Sequence, residues 1–345
     1  MRNSPALLLL GVCLAAPSFV AAQSTTLPAL IQTIPLPGAT GKFDHFAVDL
    51  AGKRLFAAAT GNHSVEVIDL ATGKVQQSIS GLGKPHGLAW VASTGSLYVA
   101  DGSLAELRVY KGTPFTLAGS IKLSDDADDM VYDEAAHLLF VGHGGSDATN
   151  PAKVAVIDTE HFILTANLPV ATHPEALEID PQGKRIFANI ADAGEVAVID
   201  STTPTVAAHW KLTKASDNVP LAYDSEHDLL FVACRTPGTL IALDAKSGAG
   251  SGKELASLPT ASGADDLFYD TVLRRVYVIN GAGEVDAYQV NESRAIHELG
   301  VLPTAPGAKT ALFVQSLARL FVGIPGVNGK PAEIRVYSTS TGPAQ

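Results

Sequence analysis

Short apolar runs alternate with polar turns along almost the whole chain, and one such run recurs in register. Its central aromatic stands at Phe56, Tyr98, Phe140, Phe187, Phe231, Tyr277 and Phe321, at intervals of 42, 42, 47, 44, 46 and 44 residues. Runs such as Arg54-Leu55-Phe56-Ala57-Ala58 and Arg275-Val276-Tyr277-Val278-Ile279 lack the apolar/polar alternation of a half-exposed strand. A strand with no solvent side is covered on both faces. A second strand follows each time, as in Val65-Glu66-Val67-Ile68-Asp69 and Val196-Ala197-Val198-Ile199-Asp200, rich in β-branched residues that suit a packed pleat. Short strands repeating with a period in the forties predict an all-β fold, a seven-bladed β-propeller of four-stranded blades.

The turns give many carboxylates a structural task. Asp49, Asp133, Asp180, Asp224 and Asp270 open the first hairpin of their repeats, and Asp69, Asp158, Asp200 and Asp244 open the last, where Asp side chains cap backbone amides. The seventh repeat stops after Ile334 to Ser338 without a fourth strand, whereas residues 29 to 36 resemble the fourth strands of other repeats. The N-terminal strand is therefore expected to pair into the last blade and close the ring, covering an open edge. Residues 23–345 read as a single propeller domain, with loop insertions at 144–151 and 247–252.

Residues 1–22 read as a signal peptide: Arg2, an apolar run from Ala6 to Ala16, then Val20-Ala21-Ala22 before Gln23. That predicts a periplasmic or secreted protein, and no later stretch is apolar enough to predict a transmembrane segment. The formal charge is −11, or −12 without Arg2, and the basic residues are scattered, so no nucleic-acid partner is expected. After cleavage Cys234 is the one remaining cysteine, which excludes an internal disulfide, a CxxCH haem site and a multi-cysteine zinc site. It ends an apolar strand and reads as an inert small hydrophobe.

Candidate chemistry lies where the innermost strands begin, because a propeller gathers those positions around its axis. Twelve residues before the aligned aromatics stand Asp44, His86, Asp128, Glu175, Val219, Asp265 and Lys309; the next column holds His45, Gly87, Asp129, Ala176, Pro220, Asp266 and Thr310. Nearby are His173 and, in the links between second and third strands, His63, Asp101, His143, Asn189, Asp192, Arg235 and Asn280. Carboxylates and imidazoles converging there could hold a divalent metal ion or act as general acids and bases. The alternative is that they solvate a water-filled channel and cap loops. Because alternate residues of a strand face opposite ways, at most one of Asp128 and Asp129, and at most one of Asp265 and Asp266, is expected at the mouth. Trp90, Tyr132, Tyr223 and Tyr269 share a column that favours packing between blades over an aromatic cage.

The repeated phrases Gly52-Lys53-Arg54-Leu55-Phe56, Val65-Glu66-Val67-Ile68-Asp69 and Ala71-Thr72-Gly73-Lys74 resemble the YVTN-type, YncE-like family of exported bacterial β-propellers, over residues 24 to 340. The literal Tyr-Val phrase is often Phe-Val or Phe-Ala here, as at Phe140-Val141 and Phe187-Ala188. That resemblance implies a seven-bladed ring and export, with no shared reaction. More distantly the repeats resemble the propeller lactonases, some of which hold a calcium ion at the mouth with acid and amide side chains. With Trp90 and Trp210 its only tryptophans, the chain lacks the docking repeats of quinoprotein propellers. The leading expectation is a recognition protein that binds a small molecule or a protein partner through Asp44, His45, His86, Asp128, His173, Glu175, Arg235, Asp265 and Lys309. The other is a metal-dependent hydrolase or lactonase at the same mouth. Sequence leaves open whether the chain is an enzyme, and its oligomeric state.

Overall fold

A computed structural model describes residues 26–340 apart from 146, 181 and 183, so the expected signal peptide and Cys13 lie outside the described residues. Among the described residues twenty-eight strands form seven antiparallel sheets of four. We number the blades by chain order: blade 1 spans 46–79, blade 2 85–122, blade 3 130–169, blade 4 174–211, blade 5 216–259 and blade 6 264–303. Blade 7 combines Ala311–Val314, Arg319–Ile324 and Ala332–Ser338 with the N-terminal strand Ala29–Leu36 as its outermost member. That strand pairs from Ala29 with Ser338 to Leu36 with Ala332, through one register shift between Leu30 and Gln32. The ring is thus closed by hydrogen bonds between the two ends of the repeat array, as the pattern predicts.

Packing follows the aligned aromatics, each of which is at most 1% exposed. Phe56 of blade 1, for example, sits with Leu88, Leu97 and Val99 of blade 2, and Phe231 of blade 5 sits with Leu267 and Val278 of blade 6. Burying one such ring stabilises the fold by roughly 1.5–3 kcal/mol. Trp90 stacks on Phe56 at 5.6 Å, Tyr223 on Phe187 at 5.4 Å and Tyr269 on Phe231 at 5.4 Å, each pair joining neighbouring blades. The tryptophan/tyrosine column is therefore interblade packing.

The turn aspartates cap as expected. Asp49 accepts from Gly52 N at 2.8 Å, Asp133 from Ala136 N at 3.0 Å and Asp69 from Thr72 N at 2.7 Å, with like bonds at Asp200 and Asp270. Sequence patterning did not reveal three short 3-10 turns, Thr60–Asn62, Ala191–Ala193 and Gln315–Leu317, each ended by a residue in the left-handed region. Among the described residues no helix is long and apolar enough to cross a membrane.

One irregularity shapes the axis. The innermost strand shifts register against its neighbour between Pro85 and Leu88, Pro174 and Leu177, Asn218 and Leu221, and Ala264 and Asp266. Such bulges re-aim side chains at the rim of a sheet. They fall on the two columns that carry the candidate chemistry.

Candidate functional site

Those columns meet at a cavity of about 300 Å³ in the channel mouth, lined by Asp44 and His45 of blade 1, His86 of blade 2, Asp128, Glu175, Arg235, Asp265 and Lys309. Eight of the nine residues singled out from sequence thus share one cavity. The ninth, His173, stands behind Asp128, its Nε2 3.5 Å from Asp128 Oδ2 while its Nδ1 donates to Gly144 O at 2.7 Å. Lys42 and Lys84 also line the cavity and were missed. Each lies two residues before a column member, Asp44 or His86, in the loop that leads into the innermost strand.

The first half of the mouth is a carboxylate-imidazole network. His86 Nδ1 lies 3.0 Å from both Asp44 Oδ2 and Asp128 Oδ1. Burial pulls this imidazole down, but hydrogen bonds to Asp128 and Asp44 outweigh it and hold the group at about 9. His173 is likewise held at about 9, burial being outweighed by the Asp128 carboxylate 3.5 Å from its Nε2 and by its bond to Gly144 O. Asp128 stays well below the ordinary carboxylate range, because its bonds to His173 and His86 overcome the opposing effect of burial. Gly87 permits the approach of blade 2 to blade 3: a Cβ there would stand 2.2 Å from Asp128 O.

The second half is a cation-carboxylate cluster. Asp265 accepts from Arg235 through Oδ1 and from Lys309 Nζ at 2.7 Å through Oδ2, and Arg235 Nε donates to Ala264 O at 2.9 Å. Between the halves stands Glu175, which burial, then the charge of Asp128, pushes up to about 7. A carboxyl at that value exchanges its proton near neutrality.

His45 forms the floor. Its Nε2 faces Asp44 at 3.5 Å and Asp128 at 3.9 Å; its Nδ1 faces Asp129 at 3.8 Å and Asp266 at 3.7 Å. Below it lies a second chamber of about 170 Å³, carrying Asp129, Asp266 and Glu178 among apolar side chains such as Leu177 and Leu267. Asp128 and Asp265 line the mouth while their neighbours Asp129 and Asp266 line this lower chamber, so each acidic pair divides between two levels of the channel. Burial opposes the charge on His45, but Asp129, Asp44, Asp266 and Asp128 together raise it to about 10. Burial raises Asp266 to about 7 and Glu178 to about 8. Glu178 had no signal in the sequence columns.

The link residues mostly bond nearby backbone instead of facing the mouth. Asn189 donates to Val219 O at 2.9 Å, Asp101 accepts from Gly83 N at 2.7 Å and from Lys84 N at 2.9 Å, and His143 Nδ1 accepts from Ser124 N at 3.0 Å. Asn280 donates to Val278 O at 3.1 Å. Cys234 is buried, and burial pushes its thiol up to about 12, consistent with an inert side chain. A larger cavity, about 700 Å³, opens on the opposite face between blades 4 and 5, around Arg185 and Tyr223. Its guanidinium is spent on Asp180 at 3.2 Å, Tyr223 Oη at 3.2 Å and Ala245 O at 2.6 Å, which makes that cavity a seam between blades.

Asp44, His45 and Asp128 each offer one ligand atom, all within 4.8 Å of one another. Two carboxylates and an imidazole suit a divalent ion in chemical type. A ligating imidazole must first lose its proton, however, and His45 holds its proton up to about 10.

No protein-family model matches the chain, and no curated protein does. Among solved structures it is similar to the hydrazine synthase of Kuenenia stuttgartiensis, at 16% identity and a TM-score of 0.73, over 93% of this chain and 98% of that one. It is also similar to a chain of the mitotic checkpoint complex, at 12% identity and a TM-score of 0.74, over 98% and 99% of the respective chains. At such identities the likeness shows the seven-bladed β-propeller fold and nothing finer.

Proposed function

We propose that this chain is an exported propeller of the YVTN type that recognises a small molecule in the mouth of its channel. The observation that carries the reading is the convergence of ionisable side chains from all seven blades on one cavity of about 300 Å³. That volume is at the lower end of small-molecule sites. A small molecule is favoured over a protein partner because the groups are recessed, with Asp44 9% and His86 5% exposed. Export rests on the leader-like residues 1–22, and mass spectrometry of the mature N-terminus tests it: Gln23 as first residue is expected, and an intact Met1 would contradict it. Ligand-observed NMR over a library of small polar metabolites tests recognition, using Asp128→Asn as the control. Binders that lose affinity in that variant support the reading; a library without any mouth-dependent binder counts against it.

The clustering of Asp44, His45 and Asp128 favours one further reading, a metal-dependent hydrolase or lactonase. A divalent ion held there would supply Lewis acidity toward a substrate oxygen. Metal content after dialysis at pH 7 and at pH 10 decides the matter. A stoichiometric ion at pH 7, abolished by His45→Gln, would displace the recognition reading in its favour.

A further inference from the structure

We infer that the ligand of the mouth is a compact anion, one that presents carboxylate or phosphate oxygens. The inference rests on the recognition reading and deepens it. It comes from asking which hydrogen-bonding capacity the cavity has left once its own side chains have bonded to one another.

Most acceptors are taken; the exception is Glu175, whose carboxyl has no hydrogen-bond partner among the described residues and, raised to about 7, is half protonated at neutrality and can itself donate. Asp44 and Asp128 are both held by His86 at 3.0 Å, and Asp265 has one oxygen on Arg235 and the other on Lys309. The donors are not. Lys42 is exposed at the rim and its side chain makes no hydrogen bond or ion pair among the described residues, so its whole ammonium is available. Lys309 uses one donor on Asp265, and Lys84 uses one on Asp126 at 3.1 Å. Arg235 commits Nε and Nη2 and leaves Nη1 without a partner among the described residues.

Four permanent cations from blades 1, 2, 5 and 7 thus surround one small cavity with their surplus donors, on a molecule whose formal charge is −11. A neutral sugar would find few free acceptors for its hydroxyls, and a cation would meet carboxylates already paired. An anion bearing several oxygens matches the unspent donors, and charge-assisted bonds to it are the strong ones. Arginine beside lysine suits either planar carboxylate or tetrahedral phosphate.

NMR titration of the full mature chain, read at the His86 ring signals, tests this with citrate, inorganic phosphate, glucose and calcium chloride at constant ionic strength. Saturable shifts with citrate or phosphate, weakened about tenfold in Lys42→Gln, are expected, that being the scale of one charge-assisted bond. Lys42 is exposed and unpaired, so this variant should fold normally, and its unchanged melting temperature is the check. Tighter binding of citrate than phosphate assigns a carboxylate ligand, and the reverse a phosphate. Shifts with glucose or calcium and none with either anion would overturn the anion class while leaving recognition at the mouth intact. Silence toward both anions, together with a neutral or cationic hit in the metabolite library, would overturn it equally.

Discussion

His45 Nδ1 lies 3.7 Å from Asp266 Oδ1, joining the first blade to the sixth across the axis of the ring. Since the other ring nitrogen of His45 faces Asp44 and Asp128, one imidazole separates the mouth from the lower chamber and is electrostatically tied to both.

Stability should therefore depend on pH in a definite direction. His45 is raised to about 10, and His86 and His173 to about 9, from an unfolded value of 6.5. Their stabilisation is fully present below pH 6.5 and is lost as pH rises through 9 to 10. Glu175 and Asp266, raised to about 7, and Glu178, raised to about 8, act the same way: the native state keeps protons that the unfolded chain releases. With more protons bound in the native state, stability falls as pH rises. Urea midpoints are expected to fall steadily from pH 6 to pH 9. Constant or rising midpoints over that range would show that the charges do not interact as placed.

Ring closure gives a second expectation. Ile34, 1% exposed on the N-terminal strand, packs with Ile334 and Val336 across the closing pair. Ile34→Ala should cost about 2–5 kcal/mol, the usual range for such truncations in a core. Deleting residues 29–36 should destabilise the whole ring, because it leaves blade 7 with an open edge. Denaturant unfolding measures both, and melting unchanged by the deletion would contradict closure by this strand.

Gly87 offers a test of the blade 2 to blade 3 approach. A methyl group there meets Asp128 O at 2.2 Å, too close to be accommodated without moving backbone. Gly87→Ala is expected to lower the melting temperature and to lower the pKa of His86 by separating it from Asp128. A variant with wild-type stability and an unchanged His86 titration would place the two strands farther apart.

The ring itself was legible because each blade repeats the same burial problem, and Phe56 and its six counterparts keep the same place in it. The mouth was legible only as columns. Asp44, His86 and Asp128 could be aligned, since each stands at the same distance before a buried aromatic. Their partners could not be read: the pairing of Arg235 with Asp265 crosses from the link of one blade to the neighbouring blade. Simple parity separated Asp128 from Asp129, but bulges such as that between Ala264 and Asp266 set the actual direction of each side chain. Pro85, Pro174 and Pro220 fall at three of the four bulges, and proline marks such a site without fixing which way the next side chains point. Lys42 and Lys84 stand two positions upstream in loop backbone, where strand parity gives no direction, and Glu178 enters the lower chamber from within a strand and stands in neither column.

The central claim is that residues far apart in the chain form one electrostatic unit at the mouth, and histidine NMR titration of Asp128→Asn tests it most directly. Removing that carboxylate charge should lower the pKa of His86, which bonds to it, and of His173, which pairs with it at 3.5 Å, and to a lesser degree that of His45, while leaving the surface residue His161 unchanged. Wild-type values for His86 and His173 in the variant would contradict the account.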